Sequence, residues 1–269
     1  MLQLRRADKL LIHFAQHMVP LLVYENIRQA DGTIHNLHGA ASGFVAQVGE
    51  SCWLFTAGHV IKWLQEAHAA GRLSHIHACD TWKHENGTGT PVPIPINHFN
   101  WVLLGTEKNP PDLGAIRLEQ NTIDLMRVGN IEPVAESDWD TIPDQFDFFQ
   151  VLGSPGELNI VEEGRHAPAK ITIGRSLVNV RKIDRPSYAP AFPFERFYGQ
   201  LDVKAKTPRA SDTTLDSIAG MSGGPILGCE RIENNILYWL IGVQSSWFPN
   251  EKVITADYAK TLYDHLKKL

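Results

Sequence analysis

The sequence predicts an all-β protein, a barrel or a sandwich, with a short helix near each end. Three observations carry this. From residue 31 the chain breaks into strand-length apolar runs, among them GFVAQV, CWLFTA, WVLLG, LGAIRL, FQVLG, AKITIG, ILYWLIGV and VITA. Gly, Pro and Asn punctuate the gaps, and the 21 Gly and 16 Pro are spread along the whole chain, the texture of short strands joined by turns. Helical spacing is confined to the two ends and one internal segment.

Taken in order, residues 8–24 set Leu10, Leu11, Phe14, Met18, Leu21 and Leu22 near helical spacing, with Asp8 as N-cap and Pro20 toward the stop. This predicts a helical extension within residues 1–30. Residues 31–135 hold the first group of strands, interrupted after TAGH by HVIKWLQEAHAAGRL, whose helix formers end at Gly71 and predict about two or three helical turns. Residues 83–98 and 184–215 are rich in Gly, Pro and polar residues and are expected to be long surface loops, the second a candidate lid. Residues 136–255 hold the second group of strands. The tail DYAKTLYDHLKKL predicts a helix within 256–269, with Lys267 and Lys268 suited to its C-terminal dipole.

Composition removes several function classes. The chain has 269 residues, enough for one large domain or two lobes about a shared site, and a net charge of −5, so no broad basic surface is expected for nucleic acid. No run of 18 apolar residues occurs, so no membrane span is expected. Arg5 and Arg6 precede apolar residues, but His13, Gln16 and His17 break the run, and the start is read as mature protein. Cys52, Cys79 and Cys229 lack CxxC spacing, which points away from a disulfide framework or thiolate zinc and toward the reducing cytoplasm.

The chemistry concentrates in GMSGGP, Gly220 to Pro225. A serine flanked by glycines presents its hydroxyl on a tight turn with backbone N–H groups free to form an oxyanion hole. The same letters satisfy the GxSxG elbow of α/β-hydrolases. That fold needs its acid and histidine after the serine, and only 47 residues follow Ser222, with Asp257 and His265 in the predicted terminal helix. The opposite order needs a histidine and an aspartate upstream. WLFTAGHV puts His59 at the end of an apolar strand, and PPDLGAIRL puts Asp112 at the start of another, where burial would demand a partner such as an imidazole N–H. Spacings of 53 and 110 residues allow His59 and Asp112 to come from one lobe and Ser222 from the other, with the site in the cleft between them.

At these residues the sequence resembles the chymotrypsin and trypsin-like serine peptidases, including their intracellular bacterial branch. GFVAQVGESCWLFTAGHV is similar to the strand pair and histidine loop, PPDLGAIRL to the aspartate strand and GMSGGPIL to the serine loop. FQVLGSPG resembles the opening strand of the second barrel, and YWLIGVQSSW the strand lining the substrate pocket; the resemblance spans residues 40 to 260. It implies a double β-barrel and a protein or peptide substrate, with no cofactor. Ser222 would be the nucleophile, His59 the general base and acid, and Asp112 the orienting carboxylate. The N–H groups of Gly220 and Ser222 would hold the oxyanion, and Ser245 and Trp247 would lie along the substrate strand. An esterase or amidase with the same triad, or a peptide-binding module without turnover, remain as alternatives.

Two departures shape further expectations. Met221 stands where processed members of the family carry an aspartate that pairs with a newly cut N-terminus, so activity without processing is expected. Val60 follows His59 where a disulfide cysteine usually stands. Asp216, six residues before Ser222, has the spacing of the carboxylate that selects Arg or Lys side chains, whereas Trp247 would narrow the pocket toward small ones. His68, His75, His77, Cys79, His84 and His98 cluster in sequence, as do His13 and His17, but they are read as surface or core residues, with no metal expected.

Overall fold

In the computed structural model the apolar runs pair into two seven-stranded antiparallel sheets, one after the other along the chain. Residues 11, 13–80, 90–97, 100–140, 142–162, 170–207, 213–233 and 235–269 are described. The first sheet contains β1 (Met18–Arg28), β2 (Ile34–Val48), β3 (Ser51–Ala57), β4 (Leu73–Asp80), β5 (Thr90–Pro93), β6 (Trp101–Leu103) and β7 (Leu113–Arg117). Their spatial order is β5-β4-β1-β2-β3-β7-β6. Helix α1 (Gly58–Ala69) follows β3, and α2 (Gln120–Val128) follows β7. Ile76, Val92, Trp101 and Ile116, drawn from strands near both edges, share one buried cluster with Val60, Ile61 and Leu64 of α1 and Ile123 and Met126 of α2. The sheet therefore curls around a single apolar core that the helices help to cover.

The second sheet is closed. After α3 (Ser137–Asp140) come β8 (Phe148–Gly153), a separate hairpin of β9 (Ile160–Glu162) and β10 (Lys170–Thr172), then β11 (Ser176–Lys182), β12 (Phe197–Lys206), β13 (Thr213–Thr214), β14 (Pro225–Ile232), β15 (Asn235–Phe248) and β16 (Val253–Tyr258). The order is β11-β8-β14-β15-β16-β12-β13, and β11 also pairs with β12, so six strands form a ring without free edges. Val151, Val178, Phe197, Ile226, Ile241 and Ile254 fill its interior. A third cluster joins the two sheets: Phe44, Phe55 and Leu113 of the first meet Leu152, Leu227, Leu240 and Val243 of the second. Helix α4 (Ala259–Leu266) seals this seam with Ala259, Leu262, Tyr263 and Leu266. Burial of this shared core, at about 25 cal/mol per Å² of apolar surface, fixes how the lobes face each other.

The all-β expectation holds, and several elements differ from it. The leading helix gives way at Met18 to β1, eleven residues paired with β2 on one side and β4 on the other. Met18 to Val23 are all buried, and a strand covered on both faces reads as a continuous apolar run whose period sequence alone does not resolve. The segment read as loop over 184–215 contains β12 and β13, and that over 83–98 contains β5. Helices α2 and α3 were not expected. The terminal helix begins at Ala259, which leaves Asp257 in β16. His84 and His98 lie outside the described residues. No described helix is long and apolar enough to cross a membrane.

Candidate active site

Strand register brings the first two groups together. Ala57 at the end of β3 pairs with Leu113 at the start of β7, so the chain running on to His59 passes the residue before Leu113, which is Asp112. The Asp112 carboxylate is fully buried. Its Oδ1 accepts the His59 backbone N–H at 2.7 Å, and its Oδ2 lies 2.8 Å from His59 Nδ1. Burial would push the His59 imidazole down, but the Asp112 hydrogen bond, the Asp112 charge and the Glu107 charge together outweigh it and hold the ring above its ordinary value. Glu107 is a half-exposed carboxylate 3.9 Å from Nδ1 that sequence reading did not single out.

Ser222 arrives from the other lobe. Its loop leads into β14, whose first residue, Pro225, pairs with Val243 of β15. Gly223 has φ +93, and an added Cβ would collide with the Ser42 carbonyl and Thr56 Oγ1 and come within 3.0 Å of the Ala57 nitrogen. The loop thus packs directly against the strand that leads into His59, in a left-handed conformation that favours glycine. The Ser222 hydroxyl is half-buried and donates to the Ser245 carbonyl at 3.4 Å. Among the described residues it makes no hydrogen bond to His59.

Every carbonyl from Ala219 to Ser222 is claimed by a donor. Gly156 N–H binds Ala219 O at 2.6 Å, Ser42 Oγ–H binds Gly220 O at 2.8 Å, Gly224 N–H binds Met221 O at 2.8 Å and Ser42 N–H binds Ser222 O at 3.0 Å. In a trans peptide the N–H points opposite its carbonyl, so the N–H groups of Gly220 and Ser222 are turned away from these partners. Among the described residues neither has an acceptor. Gly220 itself has φ +95.

Behind Asp112 lies a buried ion pair that was not anticipated as part of the site. The Asp112 N–H donates to Asp257 Oδ2 at 2.9 Å, and Arg196 grips Asp257 through Nε and a terminal nitrogen, both at 2.8 Å. The same terminal nitrogen donates to Ser245 Oγ at 2.7 Å. Burial, aided by the Asp112 charge, keeps the Asp257 carboxyl above its usual range although Arg196 pulls it down. The one signal in the sequence was a carboxylate inside the apolar run VITADY.

Ser245 is fully buried in the Arg196 cluster, and Trp247 is half-buried on β15 with Lys252 Nζ 5.5 Å above its ring. Asp216 is exposed, and its backbone N–H and that of Ser217 are held by the Glu157 carboxylate at 3.1 and 3.0 Å. That makes it a solvent-facing carboxylate, not one enclosed in a desolvated slot. Met221 is fully buried, and its side chain lies against the Gly153 backbone. His38, His75 and His77 surround Tyr24 with ring centroids 4.8 to 6.1 Å away. Among the described residues their ligand atoms do not converge; the group that does is His59, Glu107 and Asp112. A cavity of about 430 Å³ lined by Ile142, Phe146, Phe149, Phe197, Ile241 and Tyr258 contains none of these candidates.

Comparison with known protein families finds no match, and comparison with curated protein sequences finds none. Among solved structures the chain is similar to a thermostable serine protease, AL20, from an extremophilic microorganism. The identity is 11%, the TM-score is 0.48, and the match covers 94% of this chain and 97% of that one.

Proposed function

We propose that the chain is a serine endopeptidase of the chymotrypsin and trypsin-like kind, its curled first sheet and closed second barrel forming a double β-barrel around one site. In this reading Ser222 is the nucleophile, His59 the general base and then acid, and Asp112 the group that holds the imidazole in the right tautomer. The N–H groups of Gly220 and Ser222 form the oxyanion hole. The observation that carries the reading is that unclaimed pair of N–H groups flanking a serine, on a loop packed against the residues leading into a His–Asp pair.

The chemistry follows from the arrangement. Ser222 Oγ attacks the scissile carbonyl carbon while its proton passes to His59 Nε2, and the negative charge that develops on the carbonyl oxygen meets two fixed donors. His59 then delivers the proton to the leaving nitrogen as the C–N bond breaks. Water, deprotonated by His59, attacks the acyl-enzyme and regenerates Ser222. With the Asp112 hydrogen bond holding Nδ1, Nε2 is the nitrogen left for this work. A hydroxyl resting on the Ser245 carbonyl is compatible with that role, since catalytic hydrogen bonds in unliganded enzymes are often long and tighten on binding.

A peptide substrate is favoured over a small ester by β15. Its pairing with β14 stops at Val243, whereas its pairing with β16 runs on to Phe248. Among the described residues, one backbone edge of β15 from Ser245 onward is therefore left for an extended chain to join. The chain's three cysteines, none at CxxC spacing, support a reducing compartment such as the cytoplasm.

The test is to incubate a diverse peptide library with the wild type and with Ser222→Ala and to map new termini by mass spectrometry. Cuts present only with the wild type, together with fluorophosphonate labelling that Ser222→Ala abolishes, are the expected result. Turnover of small esters without peptide cuts would point to an esterase, and peptide retention without cuts or labelling to a binding module; either overturns the reading.

A further inference from the structure

We infer that Ser42 is a positioning residue that holds the oxyanion loop in its working shape from across the lobe boundary, in place of a processing-dependent ion pair. The inference rests on the serine peptidase reading and extends it to how the site is assembled.

Ser42 lies in the middle of β2, opposite Pro20 of β1, and is fully buried. Four hydrogen bonds converge on this one residue. Its Oγ–H donates to Gly220 O at 2.8 Å, and the same oxygen accepts the Ser154 N–H at 2.9 Å. Its N–H donates to Ser222 O at 3.0 Å, and its carbonyl accepts Thr56 Oγ1–H at 2.8 Å. Three of the four partners, Gly220, Ser222 and Ser154, belong to the second lobe, and the fourth ties Ser42 to the strand that leads into His59.

The bond to Gly220 O has a mechanistic consequence. The Gly220–Met221 peptide, whose carbonyl Ser42 binds, lies between the two peptides that carry the N–H groups that would hold the oxyanion. A glycine at φ +95 has alternative backbone conformations close in energy, so something must select one. The residue before the serine is an uncharged, fully buried Met221, so no ion pair made there selects it. The Ser42 hydroxyl does so by binding one carbonyl of the loop, and the Ser42 N–H does so at the serine's own carbonyl. Ser154, whose N–H fixes the Ser42 hydroxyl, is fully buried and anchored in turn by donating Oγ–H to Gly174 O at 2.7 Å. The donors are thus arranged whenever the lobes are docked, with no cleavage required.

The experiment compares wild type, Ser42→Ala and Thr56→Val using 4-nitrophenyl acetate turnover, the rate and final extent of fluorophosphonate labelling, and cleavage of a peptide found with the library. Losing one fixed oxyanion donor typically lowers kcat by about 100- to 1,000-fold; loosening the donors by freeing one carbonyl is expected to lower kcat in Ser42→Ala by about 10- to 100-fold. KM should stay within about twofold, and labelling should slow in parallel while reaching the wild-type extent. Thr56→Val keeps side-chain shape while removing the donor to the Ser42 carbonyl, and it should move kcat the same way if Ser42→Ala does not fold. A kcat unchanged within threefold, or a loss that appears in KM alone, would overturn the role of Ser42 and leave the peptidase reading intact. A wild type that neither labels nor cleaves would instead remove the reading beneath it.

Discussion

Replacing Arg196 with methionine isolates the energetic role of the buried pair behind Asp112. The Arg196 and Asp257 side chains are 5% and 2% exposed. The variant deletes both bonds to Asp257 and the bond to Ser245 Oγ, while methionine keeps much of the apolar stem. Asp257 is left with the Asp112 N–H and its backbone surroundings, next to a second buried carboxylate. Breaking a buried pair from one side costs about 3–5 kcal/mol, because the remaining charge has lost its partner. With an unfolding entropy of about 2.1 cal/mol/K per residue over 269 residues, Tm should fall by about 5–9 °C. The pH dependence has a definite sign. Asp257 already holds its proton more tightly folded than at its ordinary value of 3.8, and removing the guanidinium, which opposes that, strengthens the effect. Above 3.8 the variant's folded state then binds more protons than its unfolded state, so its stability falls as pH rises. The loss relative to wild type should therefore shrink between pH 8 and pH 5. Thermal and urea unfolding at both pH values provide the assay. A Tm shift under about 2 °C, or an equal loss at both pH values, would refute the argument that this pair is held by mutual compensation of buried charge.

Two other substitutions probe the site. Glu107→Gln removes one of the charges that raise His59, so the pH at which hydrolysis is lost on acidification, expected above 6.5 in wild type because the ring's value is raised, should move down; a kcat/KM profile that stays in place would sink the Glu107 contribution. Gly223→Ala drives a methyl into the Ser42 carbonyl and Thr56 at a φ of +93, and strain plus overpacking should cost about 2–5 kcal/mol in urea unfolding, with fluorophosphonate labelling of Ser222 slowed at least tenfold; near-wild-type stability and labelling would contradict the close approach.

His59 and Asp112 were legible because each sits at the boundary between an apolar strand and a turn, and antiparallel register does the rest. The tight turn that carries Ser222 was legible from its glycines, of which Gly220 and Gly223 have positive φ. The network around them was not. Ser42 is a small polar residue inside an apolar strand, a type with many ordinary structural roles, and only its four partners, spread over three distant segments, give it meaning. Asp257 is set aside by a sequence reading that places it in the terminal helix, whereas the helix starts at Ala259 and Asp257 belongs to β16, where it reaches Asp112. Asp216 had the right spacing, but spacing along a loop does not specify which way the loop turns, and Glu157 holds its backbone where the carboxylate meets water.

Local chemistry written in the sequence determined that the chain would be built of strands, that one serine loop would expose backbone donors, and that a histidine and an aspartate would stand at strand ends, because each follows from neighbours within a few residues. Only the tertiary structure decided which groups complete the site. Contacts such as Ser42 with Gly220 or Asp112 with Asp257 join residues 178 and 145 positions apart, and no short-range pattern encodes them. They exist because the apolar core shared by the two lobes fixes their relative placement, and buried polar groups brought together there must find partners or pay the cost of desolvation.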